Sequence, residues 1–171
     1  MMKRLAAAAV AASLVFFNVG GTAKADTYWQ CVTFARMFSG IQIFGDAWTW
    51  WEKASGKYAK GFTPQTGAVL VFKPTGRMTR GHVAVISQVL TDRIVQITHA
   101  NWGGSRGKVE EDVTLVDVSP RGDWSQVKVW HGPSGNLGVT SYPTYGFIYQ
   151  AAQDAAARIA ASGGSGATGQ N

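Results

Sequence analysis

Apolar positions along this chain follow a helical period first and a two-residue period afterwards. In Trp29–Ser39 (WQCVTFARMFS), Val32, Ala35 and Phe38 recur at helical spacing, as do Trp29, Phe34 and Met37. The pattern predicts a helix that opens near Gln30 and stops at Gly40. Asp46 is placed to cap a second helix over Ala47–Ala54, closed by Gly56. A turn cluster, Thr63-Pro64-Gln65-Thr66-Gly67, then leads into the strand-like run Ala68–Phe72. Lys73–Arg80, with Pro74 and Gly76, has the composition of a hairpin loop. His82–Val89 and Arg93–His99 are strands joined by a tight turn at Thr91-Asp92. Val113–Val118, Val127–His131 and Tyr145–Tyr149 complete the series. Ala151–Ala161 is an alanine-rich helix with few anchors, and the Gly/Ser-rich residues 162–171 form a disordered tail. Short helices followed by a meander of strands predict an α+β domain. Its N-terminal helices pack on a central antiparallel sheet of about five to six strands.

The first residues carry a different signal. Lys3 and Arg4 precede an apolar run, Leu5–Val19, and Ala23-Lys24-Ala25 offers small residues where a signal peptidase cuts. The run is 15 residues long, against the roughly 20 that a membrane-spanning helix needs. Residues 1–25 are therefore expected to be a cleaved signal peptide, 26–150 the folded domain, 151–161 a short helix and 162–171 the tail. No cysteine stands at the cut, which argues against a lipid anchor. The expected location is secreted or periplasmic, without a stable membrane anchor after cleavage.

The composition changes meaning once this segment is set aside. The whole chain carries 16 Lys+Arg against 10 Asp+Glu, a formal charge of +6. Lys3, Arg4 and Lys24 leave with the signal peptide, and no acidic residue does, so the charge falls to +3. The remaining basic residues are scattered, and nucleic acid is not an expected partner. At 46% hydrophobic and 12% aromatic residues the chain can build a core. It holds one cysteine, Cys31, which rules out an intramolecular disulfide.

That cysteine is either a buried inert residue or a nucleophile. It falls in the first turn of the expected helix, where unpaired N–H groups and the dipole favour a thiolate. A base is also needed, and the histidines are His82, His99 and His131. His82 opens a strand directly after Gly81, whose missing side chain leaves room for a substrate. A turn at Thr91-Asp92 sets His82 opposite Asn101 and His99 opposite Ala84. Either His99 or Asn101 can then hold the second imidazole nitrogen of His82 and fix its tautomer. His99 can equally be a half-buried structural histidine. No CxxC or HxxxH spacing supports a metal site, and no cofactor motif is present, so no cofactor is expected. Trp29, Trp48, Trp50, Trp51 and Trp102 flank these segments, as core or as cleft wall, with Trp102 the best wall candidate. Arg121-Gly122-Asp123 is expected to be a turn.

Taken in order, the segments resemble the CHAP family, the cysteine- and histidine-dependent amidohydrolases and peptidases. Gln30-Cys31-Val32-Thr33-Phe34-Ala35 is similar to its nucleophile segment. Thr66–Phe72 and Gly81-His82-Val83-Ala84-Val85-Ile86 are similar to its central strands, and Ile97-Thr98-His99-Ala100-Asn101-Trp102 to the strand that closes its site. The resemblance implies a papain-like fold related to NlpC/P60 peptidases, and hydrolysis of peptidoglycan amide bonds by an N-acetylmuramoyl-L-alanine amidase or an endopeptidase. The substrate would be a stem peptide or cross-bridge, and the protein a monomer. Cys31 would be the nucleophile and His82 the general base. His99 stands where the family usually has Glu, and Asn101 matches the Asn two positions later. A neutral imidazole stabilises a charged His82 less than a carboxylate does, although NlpC/P60 enzymes use a histidine there. The Cys31 N–H and the Gln30 side chain are candidates for the oxyanion hole. The competing reading is a non-catalytic wall-binding or scaffolding module on the same fold. A third is the same chemistry on a small amide or a thiol-conjugated polyamine.

Overall fold

The computed structural model describes residues 28–150. The expected signal segment, the 151–161 helix and the 162–171 tail lie outside the described residues. The elements are α1 (Cys31–Ser39), a 3-10 turn over Ala47–Thr49 running into α2 (Trp50–Lys53), and eight strands. These are β1 (Ala59–Gly61), β2 (Val69–Phe72), β3 (His82–Val89), β4 (Ile94–Ala100), β5 (Val109–Asp117), β6 (Gln126–His131), β7 (Asn136–Leu137) and β8 (Tyr142–Tyr149).

Alternation in the strands sorts the core into two parts. Leu70 and Phe72 of β2, Ala84 and Ile86 of β3, and Val95 and Ile97 of β4 belong to one buried cluster, with Trp124 and Phe147. Val69, Val71, Val83 and Val85, the intervening positions, belong to a second cluster that includes Ala35, Ile41, Ala47 and Trp50. The helices thus cover the outer face of β2 and β3, and the first cluster fills the inside of the sheet.

The sheet has an inside because it closes. Its order is β1-β8-β2-β3-β4-β5-β6-β7, and β8 also pairs with β6, through Gln126↔Pro143 and Val127↔Tyr142. β8 and β2 through β6 therefore form a closed antiparallel barrel, with β1 added on β8 and β7 on β6. Register shifts fall between Val71 and Phe72, Ile86 and Gln88, and Ile97 and His99. Such bulges bend and twist strands and let a short sheet coil on itself. The expectation of N-terminal helices on a central antiparallel sheet of about five to six strands is met in part. Two short helices do pack on antiparallel strands, but the domain is mostly sheet, with eight strands in place of five or six.

Local differences have local causes. Asp46 makes no side-chain cap; its carboxylate faces Arg80 at 3.2 Å instead. β5 starts at Val109, before the expected Val113, because Glu110, Glu111 and Asp112 hide the strand behind polar residues. Near the site the expected register holds: Val85 opposes Thr98 and Ile86 opposes Ile97. Beyond the bulge at Ser87 it shifts, with Gln88 opposite Gln96. Among the described residues no helix is long and apolar enough to cross a membrane.

Candidate active site

Cys31 is the first residue of α1, with Gln30 extended before it. The thiol is partly exposed and takes a hydrogen bond from the backbone of Val83, the residue that follows His82. The N–H groups of Val32 and of Cys31 itself also favour the thiolate, but burial outweighs all three and pushes the thiol up from its ordinary value. The helix-start effect expected from the sequence is present and loses to desolvation.

His82 opens β3 opposite Phe72, at the mouth of the barrel interior. Its Nε2 lies 3.0 Å from Nδ1 of His99, and the two rings stand nearly perpendicular at 81°. His82 is 3% exposed and His99 fully buried. Trp102 packs on both, with ring centroids 4.8 Å from His82 and 5.4 Å from His99. It is a wall of the histidine pair, and packs on Phe72 and Tyr142 as well. Burial first, and the neighbouring His99 second, hold His82 well below the usual imidazole range. Burial lowers His99 to about 4. Both rings are neutral at pH 7, so the resting site holds a thiol and an imidazole, with no ion pair. Among the described residues no hydrogen bond joins Cys31 to either ring; their link is the Val83 peptide.

Of the two expected partners for His82, His99 takes the position. Asn101 sits elsewhere. At φ 60 its side chain accepts the Gly107 N–H at 3.0 Å and the Tyr28 hydroxyl at 3.4 Å, and donates to Gln30 Oε1 at 3.2 Å. It ties the 101–108 loop to the start of α1. The bond occupies the carbonyl oxygen of Gln30, and its amide N–H2 is the part an oxyanion would need.

Gly81 does not open space for a substrate. Its φ is +67, and a Cβ there would lie 2.8 Å from the Phe72 carbonyl oxygen and 3.0 Å from the Trp48 nitrogen. The chain itself fills the gap, and glycine is required by both backbone and contact. Gly81→Ala is expected to cost about 2 kcal/mol of stability, read from the urea midpoint against wild type.

Beside Gly81 the Trp48 N–H donates to the Arg80 carbonyl at 3.2 Å. Trp48 also lines a groove of about 290 Å³ with Thr49, Trp51, Glu52, Lys53 and Tyr145. Trp51 and Tyr145 stack there with centroids 6.3 Å apart. Neither Cys31 nor the histidines line this groove. Trp50 is fully buried core, and Trp29 packs edge-on against Phe34. His131 bonds the Ser134 hydroxyl at 2.7 Å in an exposed position, away from the pair. One residue at the site escaped the sequence reading: Glu110, directly opposite His99 on β5, with Oε2 3.8 Å from His99 Nε2. Only the register through the 101–108 loop pairs them, and that was not legible. Among the described residues no group of three or more His, Cys, Asp or Glu is placed to hold a metal ion.

The neutral resting pair has a measurable consequence. Alkylation of Cys31 by iodoacetamide should rise steadily through the alkaline range, past the usual thiol value of about 8.5. A rate plateau between pH 6 and 8, the mark of a thiolate–imidazolium pair, would overturn this.

The CHAP domain family model matches residues 22–101. No curated protein matches the chain significantly. Among solved structures similar to it is "The crystal structure of Ly7917 with the hydrolyzing product of MDP", at 16% identity and TM-score 0.33, covering 68% of this chain and 82% of that one. The matched residues hold Cys31, His82 and His99, so the stretch of this chain that is similar to the CHAP domain contains the whole candidate site.

Proposed function

We propose that the protein is an exported cysteine hydrolase that cleaves an amide bond of peptidoglycan, as an amidase or an endopeptidase, on a papain-like arrangement of helix and barrel. The observation that carries this is the 3.0 Å contact between His82 Nε2 and His99 Nδ1. With Nε2 engaged, Nδ1 is the nitrogen of His82 left for a thiol, and Cys31 meets β3 one residue away. His82 then works as a general base. Nδ1 takes the thiol proton as sulfur attacks the carbonyl, the same proton passes to the departing amine, and water activated by His82 releases the acyl group. The Cys31 N–H, at the start of α1, faces the oxyanion. The similarity of residues 22–101 to the CHAP domain supports the substrate class, and the sequence of residues 1–25 supports export and a mature domain beginning near residue 26.

The buried neutral imidazoles and the raised thiol favour a second reading, a wall-binding module without catalysis. One experiment separates the two. The purified protein and its Cys31→Ala variant are incubated with peptidoglycan, and soluble products are identified by mass spectrometry. New amino and carboxyl ends from wild type alone establish hydrolysis. Identical outcomes for both proteins, with pull-down retained, leave the binding module.

A further inference from the structure

Catalysis by His82 Nδ1 requires the proton of the His82–His99 bond to sit on His82 Nε2. His99 Nδ1 must then be the acceptor, and the His99 hydrogen must sit on Nε2. Nothing in the contact between the two rings selects this arrangement, because the opposite tautomers make an equally good bond. The opposite arrangement is inert: it protonates His82 Nδ1, the nitrogen that faces the thiol.

A selector stands on the far side of His99. Its Nε2 is buried with no hydrogen-bond partner among the described residues. The carboxylate oxygen Oε2 of Glu110 lies 3.8 Å from it, and β5 sets Glu110 directly opposite His99. The side chain of Glu110 is 31% exposed, and its other oxygen is 3.9 Å from the Lys108 ammonium at the rim. With His99 lowered to about 4, the Glu110 contact is a carboxylate facing a neutral ring and not an ion pair. A buried N–H pointing at a carboxylate is favoured, and a buried lone pair pointing at the same charge is disfavoured.

We propose that Glu110 is a positioning residue that holds His99 in its Nε2–H tautomer, so that His82 Nδ1 is free to accept the Cys31 proton. It also places a negative charge in line with the positive charge that forms on His82 during attack. The carboxylate missing from position 99 is supplied one imidazole further out, from the neighbouring strand. This rests on His82 acting as the base.

The test uses the whole protein labelled with 15N-histidine, as wild type, Glu110→Leu and Glu110→Gln. Long-range 1H–15N correlation assigns each imidazole nitrogen as protonated or bare. Wild type should show His99 protonated at Nε2. Glu110→Leu should move population to Nδ1–H and lower kcat on peptidoglycan fragments about tenfold with KM little changed. Glu110→Gln, whose amide oxygen keeps a partial negative charge facing His99 Nε2, should retain the tautomer and lose less rate. If Glu110→Leu does not fold, Glu110→Gln against wild type decides, through a smaller loss of kcat at fixed tautomer. An unchanged His99 tautomer in Glu110→Leu, or wild-type His99 protonated at Nδ1, overturns the proposal. The tautomer shift in a wild type that hydrolyses nothing would instead remove the catalytic reading and leave the positioning intact.

Discussion

Replacing Cys31 with alanine is expected to lower release of soluble peptidoglycan products by about ten-thousandfold or more, the loss typical of removing the nucleophile from a catalytic triad. The fold should survive. Cys31 is the first residue of α1 and only partly buried, its backbone geometry suits alanine, and the sulfur fills no large part of the core. The cost in stability should stay within about 1 kcal/mol, so circular dichroism and the melting temperature will match wild type closely. Loss of product with the fold retained therefore reports on chemistry. Equal product from both proteins would assign the activity to something other than the thiol.

Acid is expected to unfold the protein through its histidine pair. An unfolded histidine titrates near 6.5, whereas His99 in the fold titrates at about 4 and His82 also lies well below its ordinary value. Between those pH values the unfolded chain binds more protons than the native one, so stability falls as pH falls. It is unchanged above about 6.5, declines from there, and levels off only below the native values. His99 alone contributes a loss of about 3 kcal/mol by pH 4, and His82 adds to it with the same sign. The carboxylate of Asp123 is held below its usual range by Ser125 and Arg121, and acts only at more acid pH. Urea unfolding at a series of pH values measures the slope. The double variant His82→Phe/His99→Leu replaces both members of the bond with apolar groups and should remain flat from pH 6.5 to 4. A wild-type profile just as flat would show that the rings are charged in the fold.

Much of this was written in the order of residues. Alternation in Val69–Phe72 and His82–Ile86 located the central strands, and the turn after Leu90 set the register that holds at Val85↔Thr98. The helical period of Trp29–Ser39 placed Cys31 at a helix start. Other features were not legible, because they depend on how strands meet. Closure of the barrel rests on β8 reaching both β2 and β6, pairings between segments far apart in the chain. Asn101 carried the expected residue type but turns to Gln30 and Gly107, since its left-handed backbone aims it at the loop and not at His82. Gly81 answers to the Phe72 carbonyl and not to a substrate.

The lone cysteine, its place on a helix and its order before His82 and His99 follow from the sequence by itself, because periodicity and spacing are local properties of a chain. The protonation state of those groups followed only from the tertiary structure. Desolvation depends on everything packed around a side chain: the closed barrel buries both imidazoles and brings Glu110 from another strand behind His99, while burial of Cys31 against the helix-side cluster overrides the helix start.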